Sequence, residues 1–410
     1  MIFTFLNSLG TGLVMNGIFF VAKSMYSFAD TSNYLLGMVM GVAYIVGAAG
    51  AGGMIARLRT RFAGLTGRGI LIAVMLLLGA TCLFPLAGVW LASLGIVGGP
   101  WAVWTLVICY SLVTGVLWPM TEAYLSGGKS GAGLRHDVGL FNVVWSSAVV
   151  LSFWSLSPLI ERFAIEALTG MAAIHLLLAF YVFKAFQADP APHIHAHDEP
   201  HPPVYGQLLV VLRRLLPLAY VISSVLAPYL PGAMEQLSVT TTYQPLVASA
   251  WLAPRVVAFF LLQHWHGWQG KWALPVAGTT MLVLGFAVAV LSPLGLSVGM
   301  TKGACIGAMM AGLACFGLGK ATIYAGALYY AMEVGAAEVD AGGTHEALIG
   351  VGYLVGPLCG LAPLLAVQAG YLPQRWFQLA VILSVTTILI GVLASLMPAL
   401  FRRGAVRPMA

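Results

Sequence analysis

The sequence predicts an all-α membrane protein made of two six-helix transmembrane bundles with pseudo-two-fold symmetry. Three observations predict it. The chain of 410 residues is 60% hydrophobic and only 8% charged, against about 25% charged residues in an ordinary soluble domain. Its apolar runs are continuous over about 20 residues, the length of helix that crosses a bilayer core, whereas barrel strands alternate apolar and polar over about 10 positions. A Pro- and His-rich stretch, PAPHIHAHDEPHPP from Pro190 to Pro203, divides these runs into six and six. A chain with a mean hydropathy of +0.93 has lipid as its solvent, and lipid obliges every backbone N–H and C=O to find a partner inside the fold.

Twelve spans follow, each ending where charge, proline or a polar turn interrupts. The first, 3–25, has no basic segment ahead of it and stays apolar too long for a cleaved signal, so a retained helix is expected. The second, 34–56, is rich in glycine and runs into the basic loop that holds Arg57, Arg59, Arg61 and Arg68. The third is 69–90, and the fourth, 101–124, carries Glu122. The fifth, 139–160, and the sixth, 164–186, separate at Glu161–Arg162. Ahead of the seventh, 212–233, YGQLLVVLRRLLP reads as an interfacial lead-in, with Arg213 and Arg214 at the headgroup level. The eighth, 246–266, holds Arg255, and Pro254 beside it is expected to loosen the helix there. The ninth is 272–292, the tenth, 304–332, holds Lys320, and 343–368 and 376–400 complete the set. The expected domains are an N-terminal bundle at 1–187, a His/Pro-rich linker at 188–206 and a C-terminal bundle at 207–410.

Placement of cations sets the orientation. One face receives Arg57, Arg59, Arg61, Arg68, Lys129, Arg135, Lys184, Arg213, Arg214, Lys271, Arg402, Arg403 and Arg407; the other receives Lys23, Arg162, Lys302 and Arg375. Both termini and the linker are therefore expected in the cytoplasm, with the chain in the cell membrane. The net charge of +6 is accounted for by this asymmetry and does not call for nucleic acid. The five cysteines all lie in apolar runs, as small core residues do.

His136-Asp137 opens the fifth span and His345-Glu346 opens the eleventh, 209 residues later, close to half the chain. That offset suits an internal duplication. The architecture resembles the major facilitator superfamily over nearly the whole chain. Between spans two and three the family carries G-x-x-x-D-x-x-G-R-K/R; here Gly53 and Arg61 match, while Arg57 stands at the Asp and Thr60 at the second Gly. The glycine-proline run that the family's drug–proton antiporters carry on helix five is absent there, and a similar run, Gly352-x-x-x-Gly356-Pro357-x-x-Gly360, stands on span eleven instead. The resemblance implies transport by alternating access, with spans two and eleven facing each other across the two halves, and leaves the cargo open.

Charges within spans carry the functional expectation, because each costs about 2.5–3.5 kcal/mol at a helix centre on insertion scales. Arg255 is expected to face a central cavity and to meet an anionic substrate group or a Glu; a structural pair across helices is the alternative. Lys320 is expected either in the same cavity or snorkelling to the surface. Glu122 is expected to carry a coupling proton, or to form a gate pair with Arg135 or Lys129. Asn16 and Asn142 are the expected polar cavity residues, and Trp118, Trp145, Trp251, Tyr324 and Tyr329 supply candidate aromatic walls. His175 is expected to be a satisfied packing residue. Gly50, Gly53, Gly352, Gly356, Pro357 and Gly360 are the expected close-packing and hinge positions.

The expected function is secondary transport of a small organic solute, with proton coupling as one form of it, by a monomer in the bilayer. No cofactor is expected: the chain holds no Walker loop, no H-E-x-x-H and no G-x-S-x-G. The alternatives are a metal-responsive transporter or sensor using His193, His195 and His197, and a membrane-embedded enzyme. Pro and charge around those histidines also read simply as a solvated strap.

Overall fold

The computed structural model describes residues 1–96, 99–129, 131–192, 202–334 and 339–403. Twelve helices in it are long and apolar enough to cross a membrane: α1 Ile2–Tyr26, α2 Asp30–Arg61, α3 Gly67–Ser93, α4 Pro100–Ser126, α5 Gly133–Leu159, α6 Ala164–Ala185, α7 Pro203–Gln236, α8 Thr241–His264, α9 Ala273–Val298, α10 Lys302–Ala331, α11 His345–Gln368 and α12 Gln374–Leu396. Among the described residues there are no strands. Each span expected from hydropathy is present. Odd-numbered helices run away from the linker side and even-numbered helices return to it. The two membrane faces are called below the linker side and the far side.

One boundary differs. The stretch read as an interfacial lead-in is continuous with α7, whose helix begins at Pro203 and runs unbroken through Arg213 and Arg214. Pro203 sits in its first turn, where a missing N–H costs nothing, and Arg214 reaches the backbone carbonyl of Ser395 on α12. The histidines 193, 195 and 197 lie outside the described residues. The strand of chain leading to them is tied down: Arg59 and the Gly67 amide both bond Asp189, Arg68 donates its amide to Ala188 O at 2.9 Å, and Gly128 donates to Pro192 O at 3.0 Å.

The lipid-facing surface follows from the apolar residues left outside. Leu176, Leu177 and Phe180 on α6 are 61%, 64% and 62% exposed, and Leu383 and Ile390 on α12 are 66% and 62% exposed. In water such a band would be an aggregation surface; in hydrocarbon it is the natural exterior.

The halves meet chiefly where α2 lies antiparallel to α11 and α5 lies against α8. The backbone of α11 is a wedge. Towards α7, a methyl at Gly356 would stand 2.6 Å from Ser224 Cβ, and Gly352 has no room beside Tyr220. Towards α2, Pro357 covers Gly37, the Gly41 face abuts the Leu354 backbone, and Gly360 is covered by the Tyr34 ring. Small residues here let two helices approach to backbone contact. Gly50 and Gly53 do otherwise. A methyl at either meets nothing within 4 Å, because both lie on the outward face of α2 with the exposed Val46 and Met54, while Ala48 and Ala51 on its inner face stay buried. The expectation that these two pack tightly is corrected on that ground.

Candidate substrate chamber and its two closures

A chamber lies between the halves. Its lining comes evenly from both: Thr11, Tyr44, Trp118, Phe141 and Trp145 from the first half, and Tyr220, Tyr324, Glu346, Ile349 and Tyr353 from the second. The rings pack edge to face. Trp145 lies 5.7 Å from Tyr324, Tyr220 lies 5.4 Å from Tyr353, and Tyr44 lies 5.3 Å from Tyr353. Aromatic walls of this kind give a rigid apolar surface with polar hydroxyl tips.

Thr11 is brought to the wall by a break in α1. Residues Thr11–Gly17 form a π-helical segment, a widened turn that leaves carbonyls without their usual partners. Asn16 donates its side-chain amide to Thr11 O at 3.2 Å. Asn16 therefore braces the widened turn and is not part of the chamber lining, which departs from the expected cavity role.

At the linker end of the chamber the carboxyl groups of Glu122 and Glu346 and a ring nitrogen of His345 all lie within 4.8 Å of one another. Glu122 belongs to the first half, and His345 and Glu346 to the second. Glu122 is 7% exposed and Glu346 is 4% exposed. Tyr44, on α2, donates its hydroxyl to Glu346 Oε2. Two carboxylates this close in a water-poor interior repel unless a proton or a cation lies between them. The three groups also have the donor set for a divalent cation. The alternative gate pairs for Glu122 are not formed: Lys129 bonds Asp137 at 2.5 Å and Arg135 bonds Glu333 at 3.2 Å.

Both intramembrane cations are buried, Arg255 at 3% exposure and Lys320 at 4%. The Arg255 guanidinium carbon is 4.5 Å from the Trp145 ring centre and 4.9 Å from that of Trp251. The Lys320 ammonium is 4.1 Å from the Tyr220 ring centre, 5.0 Å from that of Trp251, and donates to Ser223 Oγ at 2.9 Å. Among the described residues neither cation has a carboxylate within ion-pair distance. Nε and Nη2 of Arg255 have no hydrogen-bond partner. Each of its two cation–π contacts contributes about 2 kcal/mol or more in a dry site, but they leave Nε and Nη2 without acceptors, at about 1–3 kcal/mol for each orphaned donor. The arrangement is thus incomplete as a purely structural one. Lys320 does not snorkel: burial and its ring contacts keep it inside.

Pro254 does not kink the middle of a helix. The far third of α8 is a short helix Gln244–Ala248 and a 3-10 turn Ser249–Trp251, and the regular helix starts at Leu252. Pro254 falls in that first turn, where proline is tolerated, and Arg255 follows it.

The far side is closed by polar contacts between the halves. Lys23, held by Asp30 of its own half at 2.5 Å, bonds Glu235 of the other at 3.0 Å, Glu161 accepts from the Thr242 hydroxyl at 2.6 Å, Trp154 donates to Ser249 at 3.0 Å, and Gln368 donates to Thr31 at 3.0 Å. On the linker side a vestibule opens between α5, α8 and α10, lined among others by Asn142, Gln263, His266 and Tyr329. Arg135–Glu333 bridges its mouth. Trp145, Phe259 and Tyr324, with ring centres 5.7–5.9 Å apart, stand between vestibule and chamber. Asn142 accepts from the Trp145 indole at 3.0 Å and so holds one ring of this partition. Of the expected site residues, Trp118 and Tyr324 line the chamber, Asn142 lines the vestibule, and Arg255 and Lys320 sit one side chain behind the wall. His175 contacts the Tyr110 hydroxyl at 3.2 Å as a packing residue. Tyr44, Tyr220, Tyr353 and Glu346 were not among the expected site residues. Glu346 sat in the sequence as the first charge of an apolar run, but the helix starts at Val339, which carries it about two turns inside.

No protein-family profile matches the sequence, and no curated protein is significantly similar to it. Solved structures do match. A nucleoside transporter, NupG, in a point-mutant form, superposes with a TM-score of 0.66 at 12% identity, covering 96% of this chain and 98% of its own. A bacterial homologue of the human lysosomal transporter Spinster, inward-facing and unoccupied, gives 0.59 at 11% identity over 98% of each chain. The E. coli fucose:proton symporter FucP, also in a point-mutant form, gives 0.54 at 12% identity over 95% of each. The chain therefore has the fold of the major facilitator-type transporters.

Proposed function

We propose that the protein is a secondary transporter that moves a small organic solute across the membrane by alternating access, coupled to protons. The observation that carries this reading is the chamber itself, built half by each bundle at their interface. It is shut from the far side by polar contacts and parted from the linker-side vestibule by three rings. Polar contacts between rigid halves can break and re-form as the halves rock about a site near the midplane. The linker side is taken as cytoplasmic on its excess of Lys and Arg.

Glu122 and Glu346, one from each half, are the proposed proton carriers. A proton between them joins the halves on the linker side; its loss leaves two like charges that push them apart. The structurally similar fucose protein is a proton symporter by its own description, and the same coupling is proposed here on the carboxyl pair.

The test is counterflow and gradient-driven uptake in proteoliposomes, with labelled nucleosides, sugars, amino acids and carboxylates as the panel. The proposal expects saturable flux of at least one member, accumulated when the lumen is alkaline. Flux of none above protein-free liposomes overturns it.

A further inference from the structure

We propose that the solute is an organic carboxylate with a planar aromatic body, whose carboxyl group is taken by the free edge of Arg255. This rests on the transporter reading above and names its cargo class. Nε and Nη2, the two unpartnered nitrogens, are the pair that shares one side of the guanidinium. Their N–H bonds point the same way, and a carboxylate's two oxygens match them as a fork. A neutral hydroxyl or carbonyl fills only half of that edge.

Charge points the same way. Arg255 and Lys320 both lie within 5.0 Å of the Trp251 ring centre, so two positive charges share one buried corner. Among the described residues no carboxylate pairs with either. The chamber's acids are engaged elsewhere, Glu346 with Tyr44 and Glu122 beside it. Lys320 spends one of its three donors on Ser223. The corner is short of negative charge, and an anionic solute supplies it.

The body of the solute follows from what separates that corner from the chamber. Trp145 and Tyr220 line the chamber on one side and contact Arg255 and Lys320 on the other. In the proposed pose the Trp145 ring, which lines the chamber and covers Arg255, moves aside to admit the carboxyl group, and the remainder of the molecule lies among Trp118, Tyr324 and Tyr353. A flat ring stacks there with little entropy to lose. Protons taken by Glu122 and Glu346 would move with the anion and offset its charge.

The test is binding to purified protein in detergent, because aromatic acids cross bilayers unaided and blur flux. Benzoate, phenylacetate and indole-3-acetate are each titrated against the matching amide, followed by melting temperature and tryptophan fluorescence. At least one acid is expected to bind saturably and its amide about tenfold or more weaker, the loss of one charged hydrogen-bonded contact. Arg255→Gln is expected to remove the preference for acid over amide. Arg255→Lys, which keeps the charge without the fork, is expected to retain part of it. Equal binding of acid and amide, binding of none of the acids, or an undiminished preference in a folded Arg255→Gln protein overturns the proposal. The acid–amide comparison on the unaltered protein decides it even if Arg255→Gln does not fold. Flux of an uncharged panel member in the proteoliposome assay, with no acid binding, leaves the transporter reading standing and removes this one; absence of any flux removes both.

Discussion

Tyr44 on α2 donates its hydroxyl to Glu346 on α11, a hydrogen bond that ties one bundle to the other at the chamber wall. Glu346 in turn faces Glu122 of the first bundle within 4.8 Å. The bond between halves and the acid pair are thus one cluster, and the proposed coupling acts through it.

Neutralising the pair separates coupling from movement. Glu122→Gln and Glu346→Gln are each expected to abolish accumulation driven by a proton gradient while leaving exchange of solute across the membrane measurable in counterflow. Accumulation that survives in both variants contradicts the role given to these carboxyls. Divalent cations added to the purified protein test the other occupant of the cluster. Under the proton reading Mn²⁺ or Zn²⁺ leaves the melting temperature unchanged, and a saturable rise that both Gln variants lose contradicts it.

The far-side closure is weaker than its short distances suggest. Asp30 and Glu235 side chains are 41% and 54% exposed, and such ion pairs contribute about 0–1 kcal/mol each. Lys23→Gln removes Lys23–Glu235, the pair that joins the halves, and is expected to raise the far-side-open population about fivefold per kcal/mol lost. Labelling of a cysteine at Thr31 by a membrane-impermeant thiol reagent reads this as a faster rate. An unchanged rate contradicts the assignment.

Arg135–Glu333 is the opposing closure on the linker side, at 3.2 Å with side chains 35% and 15% exposed. Glu333→Gln is expected to act in the opposite direction, slowing labelling at Thr31 and speeding it at a cysteine placed at His266. High salt is expected to imitate Glu333→Gln in part, since it screens exposed pairs.

Glycine substitutions distinguish the packed interface of α11 from the outward face of α2. Gly356→Ala would press a methyl to within 2.6 Å of Ser224 and is expected to cost about 1–3 kcal/mol as overpacking. Gly53→Ala meets open space and is expected to be neutral or to stabilise by about 0.5–1 kcal/mol through helix propensity. Thermal unfolding in detergent measures both.

The spans were legible because hydropathy sets them directly: lipid rejects polar backbone and polar side chains alike, and the twelve runs stand out from their interruptions. The two unpaired cations were legible for the same reason, since Arg255 and Lys320 violate the rule. What was not legible depends on register between helices. Whether Gly53 or Gly41 touches α11 is decided by which face of α2 is turned to it, and composition is blind to that. Asn16 looked like a cavity residue because its role depends on a widened turn at Thr11, which no periodicity announces. Glu346 stands at the opening of an apolar run, and its place inside the bundle depends on a helix that begins at Val339, ahead of that run. Tyr220 and Tyr353 are two aromatics among many, and only the packing selects them.

The central claim is that two bundles rock about a shared chamber, and the most direct measurement is of their two ends at once. Spin labels at exposed Arg162 and Lys302 report the far side, and labels at exposed His136 and Lys271 report the linker side. Pulsed dipolar distances in the unaltered protein, in Lys23→Gln and in Glu333→Gln are expected to change reciprocally, the far-side pair lengthening as the linker-side pair shortens and the reverse. Distances that stay fixed in all three proteins, or lengthen together at both ends, contradict the account.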